Sequence, residues 1–244
     1  MLVKGMALFS SLKNLFIDIL FPSLCLNCGR EGTYLCYDCA SLVQVFEDQY
    51  CPFCRTPKIV PDGKTCFNCR GSKKLNGLFC AASYENKLVR GILHQFKYKP
   101  QFAKCLARPL ASFIITHLQL INQAEFPTTG IWVPIPLHIK KAKERGFNQA
   151  EELAKELSEQ LGGELLPDVL RKTRPTRSQT DLPAKEREKN VEGAFKCVGS
   201  QTVRGKKILL VDDVFTTGAT MEECARVLKA AGAKEVWGVA VARG

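Results

Sequence analysis

Apolar positions Leu8, Leu12, Leu15, Phe16, Ile19 and Leu20 recur at helical spacing, which predicts an amphipathic helix near the N-terminus. Its polar face holds few basic residues, so docking on the protein's own core is expected rather than attachment to a membrane. Residues 25–69 then lack any apolar run long enough to build a core. A short apolar run over 78–82 follows, and Leu88, Val89, Ile92, Leu93 and Phe96 return to helical spacing. A second apolar segment covers 102–120, where Pro109 marks a break or a helix start. From 131 onward the pattern alternates. Strands are predicted at 131–135, 165–170, 208–211 and 236–241, and helices at 149–161 and 220–231. Such alternation requires crossover connections, and so a mainly parallel sheet flanked by helices. Ligands of such sheets gather at the carboxyl ends of the strands. The expected organisation is an N-terminal amphipathic helix over 1–22, a cysteine-rich module over 23–75 and an α/β domain over 76–244.

Cysteine usage changes this picture most. Eight of the twelve cysteines fall in the first 70 residues, as four C-x-x-C pairs: Cys25/Cys28, Cys36/Cys39, Cys51/Cys54 and Cys66/Cys69. The N-terminal apolar stretch is interrupted by Asp18 and lacks a small-residue cleavage site. Nothing reaches the roughly 18–20 apolar residues of a membrane span. A reducing cytoplasm is therefore expected, and disulfides are the poorer use of these thiols. A two-residue gap lets both sulfurs of a pair approach one ion, and two pairs make a closed tetrahedral zinc site. Eight ligands predict two structural zinc ions, with neighbouring or interleaved pairs combining. The module buries little apolar surface, so metal binding is expected to supply its folding energy, about 10–16 kcal/mol per site. Cys80, Cys105, Cys197 and Cys224 stand alone and read as buried structural cysteines.

The formal charge of +11 falls by four once eight thiolates bind two divalent ions. The remaining positive balance suits phosphate-rich ligands without choosing between nucleotides and nucleic acid. Within the cysteine module Arg55, Lys58, Lys64 and Arg70 are scattered among acidic residues and draw no obvious nucleic-acid surface.

The most informative stretch runs from Ile208 to Thr220. A buried apolar strand ends in Asp212 and Asp213, followed by Thr216, Thr217, Gly218, Ala219 and Thr220 and then a helix. Backbone N–H groups in this turn and at the helix start can cradle a phosphate, and Gly218 allows close approach. The two carboxylates can accept hydrogen bonds from a sugar's vicinal hydroxyls. The segment closely resembles the phosphoribosyl pyrophosphate (PRPP) signature of type I phosphoribosyltransferases. The resemblance implies that Asp212 and Asp213 hold the ribose hydroxyls, that residues 216–220 hold the 5′-phosphate, and that Mg2+ accompanies PRPP. Hypoxanthine–guanine enzymes of that fold carry an aspartate where Thr216 stands, which disfavours purine salvage of that kind.

Upstream, Val133-Pro-Ile-Pro-Leu-His138 leads through Lys140, Lys141 and Lys143 to Arg145-Gly-Phe-Asn-Gln149. The prolines end the strand here, where this fold places a pyrophosphate loop. Arg145 is the better phosphate ligand, since a guanidinium binds phosphate oxygens bidentately. The lysines read equally well as a solvated basic face. Residues 171–190 carry seven basic and three acidic side chains. They read either as an exposed loop with a short helix or as a flap over the ligand, with Arg171 and Arg174 as its candidate contacts. His94 and His117 read as structural, and His138 lies near the pyrophosphate loop.

These motifs together, over nearly the whole chain, resemble the ComF family (ComFC- and GntX-like proteins), with Phe215 where Tyr is common. The resemblance implies a type I phosphoribosyltransferase fold behind a double zinc ribbon, and a role in DNA uptake during natural transformation. Three functions compete. The chain transfers phosphoribose from PRPP to an unidentified acceptor; it responds to PRPP without turnover while associating with single-stranded DNA; or it is a zinc-dependent adaptor in DNA processing. The intact acid pair and hydroxyl-rich loop argue against the adaptor.

Overall fold

The computed structural model describes residues 22–54, 56–60, 63–121, 130–177 and 182–244, so the helix expected over 8–20 lies outside the described residues. The chain divides into two compact units, one ending at Val43 and one running from Gln44 to Gly244. Residues 44–75, grouped above with the cysteine module, thus share a unit with the sheet. In the first unit an antiparallel bridge between Leu24 and Glu31 closes the turn that carries Cys25 and Cys28. The single-turn helix α1 (Tyr37–Ala40) follows Cys36. Among the described residues of this unit, the buried apolar side chains besides its cysteines are Leu35 and Val43.

The second unit opens with the Cys51–Cys54 turn and the one-turn helix α2 (Phe67–Arg70). The first sheet strand follows, β1 (Gly77–Ser83), and then α3 (Lys87–Tyr98) and α4 (Pro100–Leu120). The chain continues through β2 (Ile131–Pro134), α5 (Ile139–Arg145), α6 (Gln149–Leu161), β3 (Glu164–Leu165) and β4 (Leu170–Lys172). It closes with α7 (Ala184–Val191), β5 (Phe195–Cys197), α8 (Ser200–Val203), β6 (Lys207–Phe215), α9 (Ala219–Ala230) and β7 (Glu235–Arg243).

Five strands pair in the order β1-β7-β6-β2-β3, every pairing parallel. Helices cover both faces, as the alternation predicts. Helices α3, α4 and α6 pack on one face, and α9 packs on the other beside the antiparallel ribbon β4-β5. On the α9 face Met221, Cys224, Ala225 and Leu228 meet Leu78, Ile131, Val133, Ile208, Leu210 and Val236 in one buried cluster. Residues 44–46 run along the free edge of β1. Val45 bridges Ala82 and the Phe46 N–H donates to Ala81 O at 2.8 Å, so this edge is not open to another chain. Among the described residues no helix is long and apolar enough to cross a membrane.

Three expectations need correction. Pro109 neither breaks nor starts a helix, since α4 begins with Pro100 in its first turn and runs through Pro109. Leu106, Leu110 and Ile114 are fully buried and hold the helix on the sheet. Cys105, whose carbonyl Pro109 leaves without an i+4 donor, is exposed and open to water. That exposure also overturns the buried reading of Cys105; Cys80 and Cys224 are buried as expected and Cys197 is half-buried. The strand expected over 165–170 is really two, because the chain turns between β3 in the main sheet and β4 in the ribbon.

Gly77 sits where β1 passes beneath the second cysteine pair of this unit. A Cβ there would lie 2.1 Å from Gly63 O and 2.5 Å from the Trp237 ring. Backbone and a packed indole cannot give way cheaply. Gly77→Ala is expected to destabilise the protein by about 1–3 kcal/mol, read as a lower urea midpoint at unchanged slope. An unchanged midpoint contradicts this packing.

Candidate functional site

A cleft of about 210 Å³ opens at the carboxyl ends of the parallel strands. The residues just beyond those ends line it: Tyr84 after β1, Ile135 after β2 and Thr216 after β6. The acid pair lies in its floor. Consecutive strand residues face opposite ways, so Asp212 and Asp213 leave β6 on different sides. Asp213, only 3% exposed, meets Lys97 of α3, whose ammonium lies 2.7 Å from its carboxylate. Asp212 looks toward α9 and β4, where Cys224 and Lys172 feel its charge. Burial first, and the neighbouring Asp213 second, push the Asp212 carboxyl up to about 8, against the pull of Lys97. Burial disfavours the charged form of Lys97, but Asp213 and Asp212 outweigh it and hold its pKa above the ordinary value.

The hydroxyl-rich turn follows. Gly218 has φ +77°, and a Cβ there would come within 2.5 Å of the Phe215 ring, so only glycine fits. It serves as the N-cap of α9, and the Thr217 hydroxyl accepts from the Ala219 N–H at 3.4 Å. The first N–H groups of a helix have no partner within the helix, and they carry the positive end of its dipole. Thr216, Thr217, Gly218, Ala219 and Thr220 all line the cleft.

The Arg145-to-Gln149 motif forms the opposite wall, and each residue has a task. Gly146, at φ +78°, ends α5 in a left-handed cap and turns the chain back. Phe147 packs toward Phe96, with ring centroids 6.3 Å apart. Asn148 caps α6 by accepting from the Ala150 N–H at 3.2 Å, and its amide donates to Ile135 O at 3.2 Å. Arg145 and Gln149 face the cleft. The Arg145 guanidinium lies over the Tyr98 ring, 5.2 Å from its centroid. Its Nη1 and the Gln149 Oε1 are buried without a hydrogen-bond partner among the described residues. A donor and an acceptor enclosed without partners, in two residues that line one cleft, suit a site that takes a polar ligand.

The cleft therefore brings together Asp212, Asp213, residues 216–220 and Arg145. It does not bring in Arg171 or Arg174. Arg171 lies exposed on β4, and an Arg174 Nη2 donates to Glu192 O at 2.6 Å. Lys172 lines the cleft in their place, half-buried, with its pKa lowered by burial. Alternation along β4 was the available signal: with Leu170 buried, Lys172 shares its face and Arg171 does not. Lys97 and Tyr98 gave no signal, because their helix reaches the cleft only through tertiary packing. Lys141 lines the cleft, whereas His138 caps α5, its Nδ1 accepting from the Lys140 N–H at 3.4 Å. Of the flap, residues 178–181 lie outside the described residues.

The cysteines gather into two tetrads of neighbouring pairs: Cys25, Cys28, Cys36 and Cys39, then Cys51, Cys54, Cys66 and Cys69. The interleaved alternative is thereby excluded. Zinc–sulfur bonds of about 2.3 Å in a tetrahedron set sulfurs about 3.8 Å apart. Cys28 and Cys36 stand at 3.7 Å, Cys54 and Cys66 at 3.6 Å, and Cys54 and Cys69 at 3.8 Å. Backbone N–H groups of Cys36 and Cys66 point at the sulfurs of Cys25 and Cys51. Burial resists ionisation of Cys66, yet the Cys69 backbone and the neighbouring thiols bring it down to about 6. Burial and the same neighbours push Cys69 up to about 12, so four thiolates cannot coexist here without a cation. Each tetrad has the donor set and spacing of a structural zinc ion.

Comparisons with known proteins agree with both halves of this picture. Residues 143–244 match the model of the phosphoribosyl transferase domain, and residues 16–82 match that of the double zinc ribbon domain. Competence protein ComFC of Streptococcus pneumoniae is 31% identical over 209 residues, covering 85% of this chain and 86% of its own. The chain belongs to the ComF family. Its similarity extends to Competence protein F of Haemophilus influenzae, 29% identical over 90% of this chain and 97% of that protein. DNA utilization protein YhgH of Escherichia coli K12 is 29% identical, with 88% and 96% covered. Membership of the ComF family thus spans the zinc ribbons and the cleft alike.

The raised Asp212 pKa has a consequence for stability. Unfolded, Asp212 ionises near the ordinary aspartate value of 3.8; folded, it keeps its proton to about pH 8. Between those values the folded state binds more protons, so its stability falls as pH rises through that window. Asp212→Asn removes this loss. The variant is expected to unfold at a higher urea concentration than the wild type at pH 8, with the gap shrinking toward pH 4. A gap that does not change with pH contradicts the assignment.

Proposed function

We propose that the cleft binds PRPP with Mg2+ and that the protein transfers its phosphoribosyl group to an acceptor in the handling of incoming DNA. One observation carries the reading: half-buried Asp212, buried Asp213, a glycine-turned, hydroxyl-rich helix start and an arginine whose Nη1 has no partner among the described residues all line one cavity. Residues 216–220 and the α9 N-terminus are suited to the 5′-phosphate dianion. Asp212 accepts from the ribose hydroxyls, with Asp213 beside it braced by Lys97. Arg145, Lys141 and Lys172 supply positive charge for the pyrophosphate. Mg2+, held near Asp212 and Asp213, would offset the negative charge of the leaving pyrophosphate. The anomeric C–O bond to pyrophosphate breaks as the bond from that carbon to the acceptor forms. The pyrophosphate leaves with the electron pair, and the acceptor gives up its proton. A transition state with oxocarbenium character needs placement and charge balance more than a covalent nucleophile. The names of the relatives, competence and DNA utilization proteins, support a place in DNA uptake.

A second reading is favoured by a different feature. Lys64, Arg70, Lys73, Lys74, Arg226 and Lys229 line a groove beside the second tetrad. In this reading the cleft senses PRPP without turnover while the groove follows a single strand's phosphates, and binding weakens steeply with salt.

Calorimetric titration of the zinc-loaded protein with PRPP and Mg2+ tests the shared premise. Wild-type protein should bind, and Asp212→Asn combined with Asp213→Asn should bind roughly 100-fold more weakly or worse, given the lost carboxyl acceptor for the ribose and the Lys97 ammonium left without Asp213. Release of pyrophosphate with candidate acceptors then selects the enzyme. A folded, zinc-replete wild type that binds no PRPP removes both readings.

A further inference from the structure

The second cysteine tetrad lies directly behind the phosphate loop, and one side chain joins them. Phe53 stands between Cys51 and Cys54, so both of its flanks are fixed when those cysteines share an ion. Its ring belongs to two packing groups at once, the small cluster of Cys51, Val60 and Cys66 and the main core with Phe215 and Met221. At the loop it presses on Gly218. Phe53 Cε1 lies 3.2 Å from where a Gly218 Cβ would stand, on a residue already backed by Phe215.

Two further ties bind the same pieces. Arg243, at the end of β7, donates from Nη2 to the carbonyls of Cys51 and Pro52, each at 3.3 Å. The adjoining Gly244 N–H donates to Phe215 O at 2.9 Å, one residue before the loop. On its outer side the Phe53 ring carries the Lys73 ammonium, 5.0 Å from its centroid. The knuckle, the loop and the last strand thus form one packed unit.

A loop that binds a phosphate through backbone N–H groups must hold them to within a few tenths of an ångström. Gly218 works against that, because glycine leaves the backbone freer than any other residue. Something outside the loop has to restrain it. We propose that Phe53 is a positioning residue for the phosphate loop, through which the metal site of the second tetrad sets the affinity of the ligand cleft. The ligand arm rests on the phosphoribosyl reading of the cleft; the loop arm does not. By linkage, ligand bound at the loop tightens metal binding at the second tetrad and leaves the first tetrad unaffected.

The test uses the full-length, zinc-loaded protein with Phe53→Ala and Phe53→Leu, both retaining the cysteines. Zinc content, hydrogen exchange of peptides covering residues 213–224, and PRPP titration with Mg2+ are measured on each. Phe53→Ala should keep both zinc ions and leave exchange in β1 unchanged, while loop exchange quickens about tenfold and PRPP affinity falls by a similar factor. Phe53→Leu, which restores apolar bulk, should recover most of both. Unchanged loop exchange in a zinc-replete Phe53→Ala protein overturns the proposal. So does a change that appears only when the second zinc is lost, since Phe53 would then serve the metal site alone. If wild-type protein binds no PRPP, the functional reading fails while the exchange measurement still decides the role of Phe53.

Discussion

The carboxylates of Asp212 and Asp213 leave the end of β6 on opposite faces of the sheet, and each would be costly to bury alone. Asp213 is answered directly by the Lys97 ammonium at 2.7 Å. Asp212 accepts the Asp213 backbone N–H at 2.9 Å and feels Lys97 at longer range, yet burial and the charge of Asp213 still raise its pKa to about 8. Nothing in the packing of a parallel sheet requires such a pair. An apolar strand end would be more stable, so a pair retained at this expense marks a site whose design follows its ligand. The surrounding elements answer the same problem. Helix α3 carries Lys97, its next residue Tyr98 stacks under Arg145, and the β4-β5 ribbon brings in Lys172.

The wall facing the acids depends on backbone geometry. Gly218 and Gly146 both take left-handed conformations, one to start α9 and the other to end α5. Each places a helix terminus or a side chain at the cleft with little room for substitution. The loop around Gly218 is backed by Phe215 and Phe53, so the cysteine tetrad of this unit stands behind the loop rather than in the cleft. This gives the second tetrad a reason to share a compact unit with the sheet, although its C-x-x-C pairs repeat those of the first.

Much of this was legible along the chain. The β6–turn–α9 segment and the four C-x-x-C pairs are local patterns, with every participant within about a dozen residues of the next. The parallel sheet followed from alternation alone. What escaped came from contacts between distant segments. Lys97 lies 116 positions from Asp213 by sequence number, and nothing in an amphipathic helix singles out one lysine in its last turn. Phe53 reads as filler between two ligands until Gly218 is seen beneath it. Arg171, expected at the ligand, gives way to Lys172, because strand parity decides which of them faces inward. Pro109 signalled a break because its local cost is real, but burial of the flanking leucines and an exposed carbonyl outweigh it.

A crystal structure of the zinc-loaded protein with PRPP and Mg2+ tests the central claim most directly. The 5′-phosphate is expected against the amides of residues 216–220, the ribose hydroxyls at Asp212, and the pyrophosphate toward Arg145. A ligand bound elsewhere, or a cleft left empty at saturating PRPP with both tetrads holding metal, would contradict it.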